Sequence, residues 1–331
     1  MTPGPFAPTK PVRFEGNLPL LGPSSSEPCP CGSGRLPSNC HVDIAVGGWV
    51  LPPYGPLLTD SRTGIACEGC YASSTSDCRP PLTKEHWLSE GVLRAAGDGE
   101  PLRLLGLSWA QSQEISLHPP SLVSYILCDR HNNALSRLDS TAKVVFSALR
   151  RYQQDLVKQS DPHGNEFLLA SGEELARWVL KTLWGATAAK VIAVDGRPIS
   201  RLHRAADPEI LAEYLFRGGV LPSGWGLHVV GRPGAPFSAE AEATIRMQRD
   251  TEGHLVFGTA DMGVVSFGFS LNTLQAGSGQ VIRRQPSGVY LVDEGRSTQK
   301  VVALAWDDRP EEPCVLTFVG RQNKGAPKTI T

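Results

Sequence analysis

The stretch "LCDRHNNALSRLD", residues 127–139, decides how this chain is read. Cys128 and His131 stand three apart, the spacing at which a chain turning into a helix offers two metal ligands to one ion. Asn132 follows at once, at the mouth of a helical pattern. Asn is a weak helix former, so its place there asks for a cap or a chemical role. Apolar residues then recur at Leu135, Leu138, Ala142, Val145, Phe146 and Leu149, one face of a helix running from Asn132 to about Gln153.

A ligand pair needs a second pair. Upstream lies "CEGCYASSTSDCRPPLTKEHWLSEGVL", in which Cys67 and Cys70 form a C-x-x-C unit. Two such units converging make a structural zinc site. Cys78 is a spare thiol that can replace one of the four. Glu85-His86 sits between the pairs, after a Pro-Pro turn. Further upstream, "CPCGSGRLPSNCH" packs Cys29, Cys31, Cys40 and His41 into a short segment with a Gly-Ser-Gly turn between the pairs. That set suits a second closed zinc site, and so short a segment has no core without one.

Both constellations resemble known families. Residues 29–41 resemble the SEC-C motif, which implies a zinc knuckle used for docking a protein partner. Residues 67 to about 140 resemble the HNH nucleases of ββα-metal type. The order C-x-x-C, acid-His, apolar strand "SLVSYIL", C-x-x-H and Asn carries that resemblance. It implies that Glu85 and Asn132 hold a catalytic Mg²⁺ or Mn²⁺ and that His86 is the general base. It also implies that DNA is the substrate. A hard cation prefers oxygen ligands, and an imidazole titrates near neutrality, so the roles are chemically coherent. The expected function is a metal-dependent HNH-like nuclease that hydrolyses phosphodiester bonds. The alternative is a non-catalytic zinc scaffold that binds a protein or nucleic acid. Both need the cysteines; only the first needs Glu85, His86 and Asn132 together.

The rest of the chain supplies context. Of 331 residues, 40% are hydrophobic and 20% charged, with a formal net charge of −1. A packed core is expected, and no global field draws the protein to nucleic acid. The run from Asp129 to Lys158 carries Arg130, Arg137, Lys143, Arg150, Arg151 and Lys158, read as a solvated face in preference to a phosphate track. No transmembrane span and no signal peptide is read, so a cytoplasmic location and reduced thiols are expected. "SGEELARWVLKTLWGATAAKVI" opens on a Ser171/Glu174 capping box, with Trp178 and Trp184 as core. "ADPEILAEYLFRGG" has Asp207 as N-cap, Pro208 at the first helical position and Gly218 or Gly219 as stop.

From Trp225 on, short β-type runs alternate with turns: "GLHVVG", "AEATIRMQRD", "HLVFGT", "GVVSFGFSL", "GVYLVD", "KVVALAWD" and "CVLTFVG". "GSGQVIRR" lacks the context of a dinucleotide fingerprint and reads as a hairpin turn. The fold class expected is α+β: a zinc-stabilised ββα-metal-like module, a helical region and a β-rich C-terminal domain. The boundaries are 1–28 disordered arm, 29–41 SEC-C knuckle, 42–155 HNH-like module, 156–222 helical region and 223–331 β-rich domain. The β-rich domain is a second candidate surface for a protein partner.

Overall fold

The computed structural model describes residues 10–13, 35–40, 42–43, 48–49, 55–97, 102–104, 107–109, 115–158, 163–194, 196–231, 236–237, 243–272, 281–293, 298–306 and 315–320. The chain is mixed α+β with a β-rich C-terminal part. Its principal elements, in order, are β1 (Val12–Arg13), β2 (Leu82–His86), α1 (Glu90–Gly97), β3 (Val123–Cys128), α2 (Asp129–Ala134), α3 (Ser136–Val157), β4 (Glu166–Ser171), α4 (Gly172–Ala188) and α5 (Pro208–Ala212). The carboxy-terminal strands are β5 (Gly226–Gly231), β6 (Ala243–Arg249), β7 (Leu255–Met262), β8 (Val265–Ser270), β9 (Val281–Arg284), β10 (Gly288–Asp293), β11 (Thr298–Ala305) and β12 (Val315–Gly320). All seven β-type runs are strands. The eighth strand of this part, β9, stands where a turn was expected. Its two arginines obscure the alternation that marks a half-buried strand.

Two five-stranded sheets result. The first has the order β1-β4-β11-β10-β12, the second β6-β7-β8-β5-β9. Every pairing of the second sheet is antiparallel. In the first, β4 runs parallel to β11 and β10 parallel to β12. So β4, from the span read as helical, completes a sheet whose other long strands lie over a hundred residues downstream. Helix α3 packs on β4, β10 and β11, while α4 packs on β5, β7 and β8. A single hydrophobic cluster extends from Leu58 to Phe318 and takes in both helices, the β2–β3 pair and both sheets.

Local chemistry explains the helix ends. Helix α4 starts at Ser171, whose side chain accepts from the Glu174 N–H at 3.0 Å. Glu174 does not return the bond: its carboxylate takes Thr141 Oγ1 at 2.6 Å and pairs with Arg137, so the expected capping box is half formed. Gly172 is required by packing, since a Cβ there would lie 2.4 Å from the Trp306 ring. Trp178 and Trp184 are buried, as expected of core. Helix α5 has Asp207 accepting from Glu209 N–H and Pro208 in its first turn, and Gly218, at φ 77°, ends the π-helical turn Glu213–Arg217 that follows.

The helix expected from Asn132 is two helices, broken at Leu135. The first begins directly after Cys128, which is its N-cap residue, so Asn132 lies inside it and is not a cap. This start puts Cys128 and His131 on one face of the first turn, where i and i+3 meet. The apolar stripe Leu138, Ala142, Val145, Phe146 and Leu149 is buried on α3, as the pattern required. Strands β2 and β3 pair antiparallel, with Leu82 opposite Cys128, Glu85 opposite Ser124 and His86 opposite Val123. No helix among the described residues is long and apolar enough to cross a membrane.

Candidate metal centre

Four donors converge where the loop before β2 meets the β3–α2 junction. They are Cys70, Cys78, Cys128 and His131, all buried, with donor atoms all within 4.8 Å of one another. His131 Nδ1 lies 3.2 Å from Cys128 Sγ, 3.6 Å from Cys70 Sγ and 3.9 Å from Cys78 Sγ. A tetrahedral zinc with ordinary bond lengths requires S···N separations of about 3.6 Å. The cluster brackets that value, and it can hold a zinc ion.

The local fold holds each ligand. Cys70 N–H bonds Cys67 O at 3.1 Å, closing a tight turn in which Gly69 adopts φ 84°. A Cβ at Gly69 would also lie 2.8 Å from Leu82 Cδ1. Tyr71 N–H bonds Ile126 O and so sews this turn to β3. Cys78 is placed by its neighbour Asp77, which is buried, accepts from Arg217 and from Arg130 Nη2 at 3.4 Å, and has Arg130 Nε 2.9 Å from its Oδ1 as an ion pair. Burial alone would raise the Asp77 carboxyl, but Arg217, the Thr63 N–H and Arg130 together hold it below the usual range. Arg130 also donates two parallel hydrogen bonds to the Asp60 carboxylate, at 2.6 and 2.8 Å. The Phe216 ring lies 4.5 Å from that of His131.

Thiols this close do not titrate independently. Hydrogen bonding from Cys70 is the chief reason Cys128 is pulled down to about 3, with His131 and the Arg79 N–H adding to it. Cys70 is driven up by its bond to Cys128 and by burial, and Cys78 is pushed up to about 11, chiefly by burial. The protein alone thus supports one thiolate here. A divalent cation is what would let all three ionise.

The set differs from the spacing-based one in a single member. Cys78 takes the place expected of Cys67. Cys67 is half-buried and its main-chain N–H is directed at the Cys78 sulfur. In the amino-terminal set, Cys29, Cys31 and His41 lie outside the described residues, and Cys40 is half-buried.

Each residue of the expected catalytic trio has other partners. Glu85 points into the core, where its Oε1 lies 2.6 Å from Lys181 Nζ. Lys181 is itself buried and also reaches Asp139 Oδ1 at 3.0 Å and the His86 carbonyl at 2.9 Å. Asp139 accepts from Ser89 Oγ, which in turn accepts from Trp178 Nε1 at 2.6 Å. Burial raises the Glu85 carboxyl despite Lys181, whereas on Lys181 the pull of Asp139 and Glu85 outweighs burial and raises the ammonium. His86 is on the other face of the strand, as alternation demands, with Lys84 and Tyr125 exposed on that face. Its Nε2 lies 3.9 Å from Glu90 Oε2. Asn132 donates Nδ2 to Thr83 Oγ1 at 2.8 Å and to the Lys84 carbonyl at 2.9 Å, clasping α2 to β2.

A second group of donors, Asp155, His163 and Glu166, already surrounds a cation. Lys300 Nζ, fully buried, lies 2.9 Å from Glu166 and 3.5 Å from Asp155, and Arg151 adds a bond to Glu166 at 2.7 Å. The basic run of α2 and α3 is likewise engaged. Arg130, Arg137, Arg150 and Arg151 each meet a protein acceptor. No family model matches the chain, and neither a curated protein nor a solved structure matches it.

Proposed function

We propose that the chain is a zinc-stabilised binding module, an HNH-like ββα frame used as a scaffold and not as a nuclease. The observation that supports this reading is the environment of Glu85. The carboxylate that would hold a catalytic Mg²⁺ or Mn²⁺ has an ammonium as its partner instead, in a buried site where an unpaired charge is costly. Its neighbour His86 faces away from it. Asn132 spends its amide on the strand backbone. What remains is a Cys70/Cys78/Cys128/His131 zinc site that ties the loop, hairpin and helix into one frame. The SEC-C-like Cys29, Cys31, Cys40 and His41 are proposed as a second zinc knuckle that docks a protein partner. Reduced zinc thiolates belong in the cytoplasm.

One observation favours the nuclease instead. His86 and Glu90 approach on the outer face, beside exposed Lys84 and Tyr125. In that second reading Glu90, not Glu85, is the carboxylate beside the general base, and DNA lies across the hairpin. The test is to incubate zinc-loaded full-length protein with supercoiled DNA and with RNA, with and without Mg²⁺ or Mn²⁺. The scaffold reading expects no cleavage and no Mn²⁺ bound. Divalent-dependent cleavage that His86→Ala abolishes, with zinc content unchanged, would overturn it in favour of the nuclease.

A further inference from the structure

A cleft of about 590 Å³ opens beside the metal centre, between the Cys70 turn, the carboxy-terminal end of α4 and the segment that leads into α5. Its size lies in the range of small-molecule sites. Its lining is mixed in character. Tyr71 and Trp184, with ring centroids 4.7 Å apart, contribute apolar surface together with Leu202 and Ala206. Arg201, His203 and Arg204 contribute cationic and imidazole groups, and Ser73 and Ser74 contribute hydroxyls. Among the described residues lining the cleft there is no carboxylate.

The cations here are less engaged than the arginines of α2 and α3. Arg201 is exposed and makes no ion pair among the described residues, in contrast to the arginines of α2 and α3. Arg204 meets Glu252 only at 3.4 Å, with both side chains largely exposed. His203 Nε2 is 3.9 Å from Asp250. A guanidinium fork matches phosphate oxygens, and serine hydroxyls extend such a cradle. Aromatic and aliphatic walls suit a planar base.

The geometry points to a binding site for a nucleoside phosphate in this cleft, with Arg201 and Arg204 on the phosphate and the Tyr71/Trp184 side against the base. Two sources carry that chemistry, a free nucleotide and the phosphorylated end of a nucleic-acid strand. The inference rests on the binding-module reading and gives that module a ligand. It involves none of Glu85, His86 and Asn132, so it stands or falls separately from catalysis.

The test is titration of the zinc-loaded full chain, by calorimetry and by tryptophan fluorescence, with AMP, adenosine, inorganic phosphate and a short oligonucleotide with or without a 5′-phosphate. AMP is expected to bind more tightly than adenosine or phosphate alone. Arg201→Ala is expected to weaken it about tenfold, the scale of one lost charge-assisted contact. Arg283→Ala, an exposed arginine on β9, is expected to leave it unchanged. A 5′-phosphorylated oligonucleotide that outbinds AMP supports the site as a strand-end reader; equal affinity supports it as a nucleotide site. No binding of AMP or of the phosphorylated oligonucleotide at millimolar concentration overturns the assignment. So does affinity indifferent to Arg201→Ala, or equal to that for a glutamate-rich peptide. If cleavage is found while this site fails, the nuclease reading survives alone; if the site holds and cleavage is absent, both proposals stand.

Discussion

Lys181→Met is the perturbation that most directly tests the account of the hairpin's interior. The substitution keeps the length of the side chain and removes the ammonium that lies 2.6 Å from Glu85 and 3.0 Å from Asp139. Asp139 is one-third exposed and can turn to water; Glu85 is nearly closed off and cannot. Breaking a buried pair from one side costs about 3–5 kcal/mol, because the orphaned charge stays buried. The cost must depend on pH. Burial already raises the Glu85 pKa over its ordinary value with lysine present, and without lysine it rises further. A carboxyl whose folded pKa is raised favours the folded state at pH below its unfolded pKa, and that support is lost as pH climbs through the folded value. In Lys181→Met, then, urea unfolding should show a small deficit near pH 4, where Glu85 carries its proton, growing to the full amount by pH 7.5. Lys181→Met with Glu85→Gln should recover most of it at neutral pH, since the buried charge is gone from both sides. A deficit equal at the two pH values, or a double variant no better than the single one, would refute the reasoning.

The metal centre and the clasp beside it give two more expectations. Cys78→Ser should lose the zinc of this site by elemental analysis while Cys67→Ser keeps it; the reverse result would restore the spacing-based ligand set over the geometric one. Asn132→Ala should cost about 1–2 kcal/mol through its two donated bonds, with zinc retained. Asn132→Asp should cost at least as much, because a carboxylate cannot donate. If Asn132→Asp instead kept stability and bound Mn²⁺ more tightly, the residue would be a metal ligand and the nuclease reading would gain.

Much of the fold could be read locally. The strand runs after Trp225 are short apolar, β-branched and aromatic stretches between turn signals, and Gly226–Gly231, Leu255–Met262, Val265–Ser270, Gly288–Asp293 and Thr298–Ala305 are buried along nearly their whole length. The apolar stripe of α3 and the Asp207-Pro208 start of α5 carry their own signals too. What was hidden is non-local. "EFLLAS", residues 166–171, has no polar face to declare a strand, and lies directly against the start of α4. It becomes a strand because β11 offers it a parallel partner, with Lys300 opposite Glu166 at the start of the ladder and salt-bridged to it. No window of twenty residues contains that information. The break at Leu135 is similar: the α3 stripe could run back to Asn132, but α2 is aimed by Cys128 and His131.

The candidate site divides along the same line, and one of its contacts could have been read from the sequence. Cys67, Cys70 and Cys78 lie within twelve residues, so each can reach a common ion and spacing cannot choose among them. The choice is made by Asp77, anchored by Arg130 and Arg217, which are 53 and 140 residues away in sequence. Glu85 and His86, however, are adjacent on a strand, and adjacent strand residues face opposite ways. Glu85 shares its parity with Trp87, which is buried, whereas His86 shares its parity with exposed Lys84. That pattern already sends Glu85 inward. Its cation was visible as well. Lys181 stands three residues from Trp178 and three from Trp184, in the middle of the apolar stripe of α4. A lysine in that position must be buried, and a buried ammonium requires a carboxylate. Glu85 was an inward carboxylate without a declared partner. Matching the two from sequence would have predicted the ion pair of Glu85 with Lys181.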